Sequence, residues 1–375
     1  MPRFFALTSR GLAEALEQEL IELGLDRVER DAGGVFFESN WAGCYRANLR
    51  SRIATRIVLP ILDFPAYKPE ELYHNIQKHD FTKYIEPNGT MAVEASVRDC
   101  GEFRDQRFVA MKTKDAVVDQ FRDKFEIRPD VDSEKPDLRI IVRAVRNAFS
   151  VSIDTSGDPL FKRGYREAMG EAHVKEHLAA GILRLTEWDR KSPLVDPMCG
   201  SGTFLIEAAL MALDIAPGTF RRGFGFQRLK GFQKPEWEKE VAAALALEKE
   251  ELPFKLYGFD IDRDAIQDAR TNAEAAGVAD FIELQRHPMN TLKAPVESGT
   301  LVVDPPYGVR MGTKDELVDT YKDLAHVFKT SFKGWNCFVL SGEPELSAAM
   351  KLKAERKFPL YNGPIECRLL KYRMF

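Results

Sequence analysis

The chain has 375 residues, of which 30% are charged and 44% hydrophobic, and its formal net charge is -4. This length predicts two or three domains, and the small net charge means that any surface for nucleic acid must be local. The sequence has no apolar run of about 18 residues and no signal-peptide pattern, which argues against a membrane protein. Five scattered cysteines indicate reduced thiols, so we expect a cytoplasmic protein without disulfides or a zinc site.

The first 155 residues predict two small α+β units. Residues 1–63 show a β-α-β-α-β pattern. Residues 64–155 begin with a proline-containing linker and predict helices at 70–77 and 107–125 and strands at 90–98, 138–145 and 149–153. We expect the last two strands to be joined by a tight turn at Arg146-Asn147.

Two stretches of this half carry candidate RNA contacts. The first is a basic cluster, which suits RNA phosphates but equally suits a solvated helix face; it contains Arg104, Arg107, Lys112 and Lys114. The second stretch, at 161–166, is basic and aromatic. Arg163, Tyr165 and Arg166 there are expected to contact phosphate or cofactor, the alternative being an ordinary solvated loop.

We expect residues 156–190 to connect the two halves of the chain. A linker at 154–159 leads into this region, and a helix is predicted at 171–188. His173 and His177 lie one turn apart on this helix, a spacing that a metal site can use. No third ligand is evident in the sequence, so we expect surface histidines and no metal.

From residue 191 to the end, strands and helices alternate, which predicts a doubly wound parallel sheet. The strand Leu194-Val195 leads into a glycine-rich loop, Asp196-Pro197-Met198-Cys199-Gly200-Ser201-Gly202-Thr203, and then a helix. Further strands are predicted at 256–260, 281–284, 301–303 and 336–340. Two more around Asn362-Gly363 should form a terminal antiparallel hairpin that closes the sheet edge.

The loop and the end of the second strand restrict the cofactor. NAD requires G-x-G-x-x-G, but position 205 is leucine, and a P-loop requires a lysine before the Ser or Thr. S-adenosylmethionine needs a close backbone approach and an acid for the ribose, which Asp196, Gly200, Gly202 and Asp260 supply. Asp260 could instead cap the next helix, although that role is more expected of Asp262. Ile261 can cover one face of the adenine.

The strand Leu301–Val303 ends in Asp304-Pro305-Pro306-Tyr307-Gly308. Two prolines force the chain to stop and turn, which leaves a rigid loop at the sheet edge. The Asp304 carboxylate and the Pro305 carbonyl can accept both hydrogens of a base amino group, Pro306 stiffens the loop, and Tyr307 can stack on the base. Asp304 is therefore the expected catalytic residue.

An insertion lies between the first helix of this sheet and residue 255. Its first part, Phe220 to Lys234, has five basic residues, including Arg221 and Arg222, four phenylalanines and no acid. Basic residues that alternate with aromatic residues suit the phosphates and bases of a single-stranded nucleic acid. A loop whose phenylalanines staple it to the sheet explains the pattern equally well.

Together, the glycine-rich loop and the Asp304 loop resemble class I S-adenosylmethionine-dependent methyltransferases that modify amino groups. The wider chain resembles THUMP-domain RNA methyltransferases, near the bacterial 23S rRNA guanine-N2 enzymes, on the stretches 156–166, 216–218 and 361–368 and on Asn272. This resemblance implies a ferredoxin-like domain, an RNA-binding THUMP domain and a Rossmann-like methyltransferase domain. It also implies cofactor contacts from Pro197, Met198, Cys199 and Thr203, with Asn290 in the place of an adenine-binding Asp.

The sequence is also compatible with other functions. The Asp304 loop serves adenine N6 and cytosine N4 as well as guanine N2, so a DNA or RNA adenine methyltransferase is an alternative. A non-catalytic RNA-binding assembly factor is another, although the intact acids and glycines argue against it. Covalent attack by Cys199 is a further chemistry, disfavoured because the residue lies in the cofactor loop.

Overall fold

The computed structural model of this chain describes residues 1–168, 174–307 and 313–375. Two residues singled out above, Gly308 and His173, lie outside the described residues. Within the described ranges, no helix is long and apolar enough to cross a membrane. The same ranges contain no group of three or more His, Cys, Asp or Glu side chains that could hold a metal ion.

The first unit has one strand more than its sequence pattern predicts. Its elements are β1 (Arg3–Leu7), α1 (Ala13–Glu22), β2 (Asp26–Asp31), β3 (Gly34–Glu38), α2 (Trp41–Arg50) and β4 (Arg56–Pro65). This β-α-β-β-α-β order is that of a ferredoxin-like fold. The extra strand, β2, lies at the edge of its sheet and is almost wholly exposed. An exposed edge strand buries no face, so its sequence shows no apolar alternation.

The second unit contains the predicted helices and strands and one short extra strand. Its elements are α3 (Pro69–Gln77), β5 (Thr90–Arg98), α4 (Gln106–Phe125), β6 (Asp130–Val131), β7 (Leu138–Val145) and β8 (Ala148–Asp154). The turn between β7 and β8 consists of Arg146 and Asn147, with φ of 51° and 62°. Two central residues with positive φ are typical of a two-residue hairpin, so the predicted turn is confirmed.

β4 joins the two units into one sheet. It pairs antiparallel with β1 and with β8, which gives eight strands in the order β2-β3-β1-β4-β8-β7-β5-β6. Phe64 and Pro65, predicted to begin a linker, therefore lie in a central strand. The sequence pattern of residues 1–63 includes this strand but not its last two residues, because Pro65 resembles the start of a linker. The sheet tolerates Pro60 beside a register shift between Pro60 and Leu62.

The segment predicted as the second linker, 154–159, begins as a buried junction. Thr155 and Ser156 are fully buried. Asn48 of α2 donates a hydrogen bond to the Thr155 hydroxyl (3.0 Å) and accepts one from the Ser156 hydroxyl (2.6 Å). Asp154, at the end of β8, forms an ion pair with Arg56. The polar sequence correctly indicates a loop, but these bonds fix that loop to the first unit.

The C-terminal part of the chain contains a seven-stranded sheet. Its strands are β9 (Leu194–Asp196), β10 (Leu256–Asp260), β11 (Ile282–Arg286), β12 (Thr300–Val303), β13 (Asn336–Ser341), β14 (Arg356–Asn362) and β15 (Ile365–Arg373). They lie in the order β11-β10-β9-β12-β13-β15-β14. The first five are parallel, and β15 runs antiparallel to both β13 and β14. The doubly wound sheet and its terminal hairpin are therefore confirmed.

The order of the strands reverses between β9 and β12. In doubly wound sheets, ligands bind in the crevice at such a reversal, outside the carboxyl ends of the strands. The loop after β9 is the glycine-rich loop, and the loop after β12 begins with Asp304. The topology thus brings the two strongest sequence motifs to the same crevice.

Six helices accompany this sheet in the described part of the chain. They are α5 (Glu176–Leu185), α6 (Thr203–Ala212), α7 (Lys234–Leu245), α8 (Arg263–Ala275), α9 (Lys314–Ser331) and α10 (Pro344–Ala349). α7 lies in the insertion, where the sequence predicts no helix. It buries only Glu240 and Ala244, so it has little of the apolar stripe by which helices are recognised.

The loop of the insertion fastens the two halves of the protein together. Phe224 and Phe226 are buried, with ring centroids 5.2 Å apart, and Phe226 packs on Tyr45 of α2 (4.5 Å). The Arg221 guanidinium donates to four backbone carbonyls, those of Ser156, Asp158, Pro159 and Lys162. The phenylalanines therefore fasten the loop, as the second interpretation expects, but they pack on α2 and on Trp237 of α7 and not on the sheet. RNA contact by Arg221 is wrong, because its guanidinium is already bonded within the protein, whereas Arg222 is exposed.

Candidate active site

The glycine-rich loop turns from the end of β9 into α6. Gly200 and Gly202 have φ of 50° and 81°, in the left-handed region that favours glycine. Space is also short at Gly202, where a β carbon would lie 3.1 Å from the Cβ of Ala269 in α8. The Cys199 amide donates to the Phe259 carbonyl of β10 (2.9 Å). These features hold the loop close to β10 and α8 in a conformation that only small residues permit.

Asp260, at the end of β10, bonds to two turns with one carboxylate. Its Oδ2 accepts the Gly200 amide (2.9 Å), and its Oδ1 accepts the Asp262 amide (2.9 Å). Asp262 in turn accepts the Asp264 amide (2.9 Å) and caps α8, as predicted. Each carboxylate oxygen has two lone pairs, so Asp260 can also accept ribose hydroxyls. That role stays a prediction, as does the adenine contact of Ile261, which is 64% exposed.

Asp196 and Asp304, at the ends of β9 and β12, line one cavity together with Met198, Cys199 and Thr203. Asp196 is buried and accepts the Met198 amide (3.2 Å). Its burial, reinforced by the neighbouring charges of Asp260 and Asp304, raises the pKa of the Asp196 carboxyl well above its ordinary value. Neither Asp196 nor Asp304 forms an ion pair within the described ranges. Acids in this state suit a ligand that brings positive charge.

Asp304 has a carboxylate oxygen without a partner. Its Oδ1 is shielded from solvent and accepts no hydrogen bond from the described residues. Burial raises the pKa of Asp304 to about 7, against a hydrogen bond from Tyr307 that lowers it. Buried acceptors in proteins are normally satisfied, so this oxygen indicates a donor that a ligand would supply. Pro305 behind it is buried and has no backbone N–H to give.

Tyr307 is held by the end of β13 and by the terminal hairpin. Gly342 leaves room for its ring, since a β carbon at that position would lie 2.6 Å from the ring. The Asn362 side chain donates to the Tyr307 hydroxyl (3.0 Å), and the Cys367 thiol lies 3.7 Å from it. The stretch 361–368, which the sequence marks only through the family resemblance, therefore positions Tyr307, the aromatic residue of the Asp304 loop.

The raised pKa of Asp304 predicts a pH-dependent effect on stability. The folded protein binds the Asp304 proton more tightly than the unfolded chain does, because the folded pKa is about 7 and the ordinary value is near 4. Stability from this group is therefore present below about pH 4 and is lost as the pH rises to 7. We expect Asp304→Asn to raise the free energy of unfolding of the cofactor-free protein by about 2 kcal/mol at pH 8.

At pH 5 this gain should be clearly smaller, because the wild-type carboxyl is then largely protonated. Urea unfolding at the two pH values measures the difference. If the variant is less stable than the wild type at pH 8, the charged Asp304 carboxylate is stabilised by its surroundings in the folded protein, and the prediction is wrong.

Arg163 and Tyr165 are not RNA contacts. Both side chains are buried, with exposures of 1% and 2%. Arg163 forms an ion pair with the buried Glu207 of α6 (3.3 Å) and donates to the Arg52 carbonyl (2.5 Å), while the Tyr165 hydroxyl donates to Glu207 (3.1 Å). The prediction fails because Glu207, which binds both side chains, lies 44 residues after Arg163 in the sequence.

Arg166 fixes the glycine-rich loop. It donates to the Ser201 hydroxyl (3.0 Å) and the Thr203 hydroxyl (2.9 Å), and its Nε bonds to Glu176 (2.8 Å). Its side chain is only 9% exposed. RNA contact by Arg166 is therefore wrong, whereas the alternative expectation, a role near the cofactor, agrees with its position.

Asn272 of α8 completes this arrangement. Its side-chain oxygen accepts the amides of Glu167 and Ala168 (both 3.0 Å), and its side-chain nitrogen donates to the carbonyls of Ala168 (3.1 Å) and Ser201 (3.2 Å). A single buried amide thus ties the segment after Arg166 to the glycine-rich loop. The sequence shows Asn272 only as part of a resemblance, because no local pattern identifies a side chain that bridges three segments.

The basic cluster of the second unit lies on and before α4. Arg104 and Arg107 are exposed, and Lys112 and Lys114 are half-buried. Arg107 pairs with Asp105 (2.8 Å) and Lys114 with Asp115 (3.2 Å), while the Lys112 ammonium lies 5.1 Å from the Tyr73 ring centroid. Part of the charge is therefore compensated locally. The cluster is accessible to RNA at Arg104 and Arg107, and its role stays a prediction.

His177 and Cys199 are buried, whereas Asn290 is exposed. His177 is buried and bonds through Nε2 to the Ser9 hydroxyl (2.7 Å), so it is not the expected surface histidine. Burial raises the pKa of the Cys199 thiol well above its ordinary value, which keeps it protonated and argues against covalent attack. Asn290 is exposed in a short 3-10 helix, Met289–Thr291, beyond β11, and its adenine contact stays a prediction.

These residues fit S-adenosylmethionine. The cofactor carries a positive sulfonium, an amino acid end and a ribose. Asp196 is an acid without a counter-ion in the described structure, Gly200 and Gly202 allow the backbone to approach, and Asp260 has acceptor capacity for the ribose. No phosphate-binding feature is required for it.

Comparison with protein families accounts for nearly the whole chain. Residues 3–58 match the family model described as the RlmL ferredoxin-like domain, and residues 66–154 match the THUMP domain. Residues 163–371 match the RMKL-like methyltransferase domain, which is more than half of the chain.

Individual relatives agree with this assignment. A Synechocystis protein described as a candidate RNA methyltransferase is 38% identical over 372 residues, 99% of this chain and 97% of its own. The crystal structure of SMU.472, described as a candidate methyltransferase in complex with SAH, has a TM-score of 0.92 and 30% identity and covers 100% of this chain and 98% of its own. A Listeria monocytogenes protein described as a predicted N6-adenine-specific DNA methylase has a TM-score of 0.89 and 28% identity, covering 100% and 96%. The chain therefore belongs to the RMKL-like, THUMP-domain family of S-adenosylmethionine-dependent RNA methyltransferases.

Proposed function

We propose that this protein methylates an exocyclic amino group of an RNA base, with guanine N2 of 23S rRNA as the expected target. One observation carries the proposal: the unpartnered, buried Oδ1 of Asp304 lies in the same crevice as the glycine-rich loop. An amino group is a donor of the kind that this oxygen lacks. The THUMP domain supports RNA as the nucleic acid, and the guanine target rests on the resemblance to guanine-N2 enzymes.

The chain's own residues would orient the amino nitrogen. Asp304 Oδ1 and the Pro305 carbonyl accept its two hydrogens, which favours a pyramidal nitrogen with an available lone pair. Tyr307, fixed by Asn362 and Gly342, forms the wall against which the base lies. S-adenosylmethionine, when bound, supplies a methyl group that is already activated by its sulfonium, so positioning is the main task of the protein. After transfer, the surplus proton leaves to Asp304 or to water.

A second candidate is adenine N6. The Asp304 loop can hold either amino group, and the Listeria monocytogenes relative is described as an adenine-specific DNA methylase. The two N-terminal domains favour RNA, since they match a THUMP domain and an RlmL ferredoxin-like domain. The choice between guanine and adenine therefore depends on product analysis.

Product analysis tests the function directly. The purified protein is incubated with methyl-labelled S-adenosylmethionine and, in parallel, with unmodified 23S rRNA, tRNA or duplex DNA, and the labelled nucleosides are identified by mass spectrometry. We expect N2-methylguanosine from 23S rRNA alone. N6-methyladenine would support the second candidate. Absence of cofactor binding in calorimetry would favour a non-catalytic assembly factor.

The exposed end of the basic cluster is the proposed RNA surface. We expect Arg104→Gln with Arg107→Gln to weaken RNA binding about threefold to tenfold at 0.1 M salt and to reduce the slope of log affinity against log salt by about 1 to 2. Binding is measured by filter retention across a salt series. The matched control is Arg373→Gln, which changes an exposed arginine at the C-terminal end of β15 in the methyltransferase sheet. An unchanged salt slope would show that Arg104 and Arg107 do not contact RNA and that the cluster is a solvated helix face.

A further inference from the structure

A second cavity, of about 220 Å³, lies between the ferredoxin-like domain and the methyltransferase domain. Side chains of α1, α2 and α5 line it, together with residues at the C-terminal end of α6. The glycine-rich loop is at the opposite end of α6, a ten-residue helix about 15 Å long. The cavity is therefore separate from the crevice of the active site.

Four arginines line this cavity: Arg50, Arg52, Arg184 and Arg190. Arg184 is paired with Glu22. Arg50 and Arg190 form no hydrogen bond or ion pair through their side chains in the part of the chain that the structure describes. Arg52 uses Nη2 to bond to two backbone carbonyls, whereas its Nη1 is shielded from solvent and has no partner among the described residues.

The acids around the cavity are already bonded. Glu19 accepts the Ser51 hydroxyl (2.6 Å) and two backbone amides. Asp214 pairs with Lys249 (2.5 Å). The carbonyls at the end of α6 would repel an anion, but those of Leu210 (3.1 Å) and Ile215 (2.7 Å) are occupied by Arg52. The free hydrogen-bonding capacity of the cavity is thus mainly that of donors.

The titration behaviour of the arginines agrees with this geometry. Burial lowers the pKa of Arg52 to about 10, although Glu207 and Glu19 act in the opposite direction. Burial and the neighbouring Arg46 lower the pKa of Arg50. A lowered arginine pKa means that the surrounding negative charge does not fully compensate the guanidinium.

We propose that this cavity binds a phosphate-class oxyanion through Arg50, Arg52 and Arg190. Guanidinium groups present paired N–H donors that match phosphate oxygens, and Arg52 Nη1 would gain the acceptor that it lacks. Because the walls come from both domains, a bound anion would also hold the ferredoxin-like domain against the methyltransferase domain. The anion could be free phosphate or a phosphate of the RNA backbone, which share this chemistry.

Inorganic phosphate is the probe for the test. Thermal unfolding is measured in phosphate and in chloride at equal ionic strength for the wild type, for Arg50→Gln with Arg190→Gln, and for the control Arg128→Gln in the THUMP domain. Arg52 is left intact because it bonds to the helix end. Phosphate stabilises many proteins non-specifically, so the decisive quantity is the difference between variants.

We expect 20 mM phosphate to raise the Tm of the wild type and the control by about 2 °C more than that of the double variant. Titration calorimetry should give one phosphate site in the wild type. Equal Tm shifts in all three proteins, or no calorimetric binding at 20 mM, would overturn the proposal. The RNA affinity of the double variant identifies the source: a loss of threefold or more indicates RNA phosphate, and an unchanged affinity indicates a free anion.

Discussion

Asp304→Asn is expected to lower the turnover of RNA methylation by about a thousandfold and to leave the affinity for S-adenosylmethionine within about twofold of the wild type. The amide has the size of the carboxyl but no negative charge. Its NH2 group can also face the amino group of the base, where a donor meets a donor and no hydrogen bond forms. Turnover is measured with methyl-labelled cofactor, and cofactor affinity is measured by calorimetry.

The matched control for this variant is Asp323→Asn, an exposed acid on α9 outside the crevice. It should keep wild-type turnover and wild-type cofactor affinity. Turnover of Asp304→Asn within about tenfold of the wild type would contradict the proposed mechanism, because a single catalytic hydrogen-bond partner is usually worth more than that. Urea unfolding of Asp304→Asn at pH 8 tests independently whether the variant is folded.

Arg166→Met is expected to raise the KM for S-adenosylmethionine by about 10–100-fold and to leave the KM for RNA nearly unchanged. The substitution removes both bonds to the glycine-rich loop, at Ser201 and Thr203, and leaves Glu176 without its partner. A loop displaced by even 1 Å no longer matches the cofactor. Steady-state kinetics with each substrate varied in turn separates the two KM values.

Two further variants distinguish loop positioning from a general loss of structure. Arg166→Lys keeps a positive charge for Glu176 but cannot reach both hydroxyls in a fork, so its KM should be intermediate. In a double-mutant cycle, Arg166→Met should raise the KM for S-adenosylmethionine only slightly further when Thr203→Ala is already present. A variant that is simply less folded would lose turnover at constant KM. A changed KM for RNA alone would restore Arg166 as an RNA contact.

The two motifs at the sheet edge could be predicted from sequence because their chemistry is local. Glycines at 200 and 202 permit positive φ, prolines at 305 and 306 fix φ, and the flanking strands are short apolar runs. The order of strands and helices after residue 191 then implies a sheet whose carboxyl edge carries both loops. Asp262 as a helix cap and the hairpin turn at Arg146-Asn147 were predictable for the same reason.

The edge strand β2 and the C-terminal end of β4 were not predictable in this way. β2 buries no apolar face, and β4 ends in Pro65, which resembles the start of a linker. The last residues of β4, 63–65, are held in the strand by pairing with β8, which lies far away in sequence. The merging of two domains into one sheet is a property of pairing that neither segment shows alone.

The basic residues show most clearly what the sequence by itself determined and what it left to the tertiary structure. Arg104, Arg163, Arg166 and Arg221 carry the same local signal, and the sequence establishes only that each has a positive charge near aromatic or polar neighbours. The structure exposes Arg104, pairs Arg163 with Glu207, directs Arg166 to the glycine-rich loop and binds Arg221 to backbone carbonyls. Folding decided among these outcomes because a charge can be buried only where a distant partner compensates it, and that partner is known only once the chain has folded.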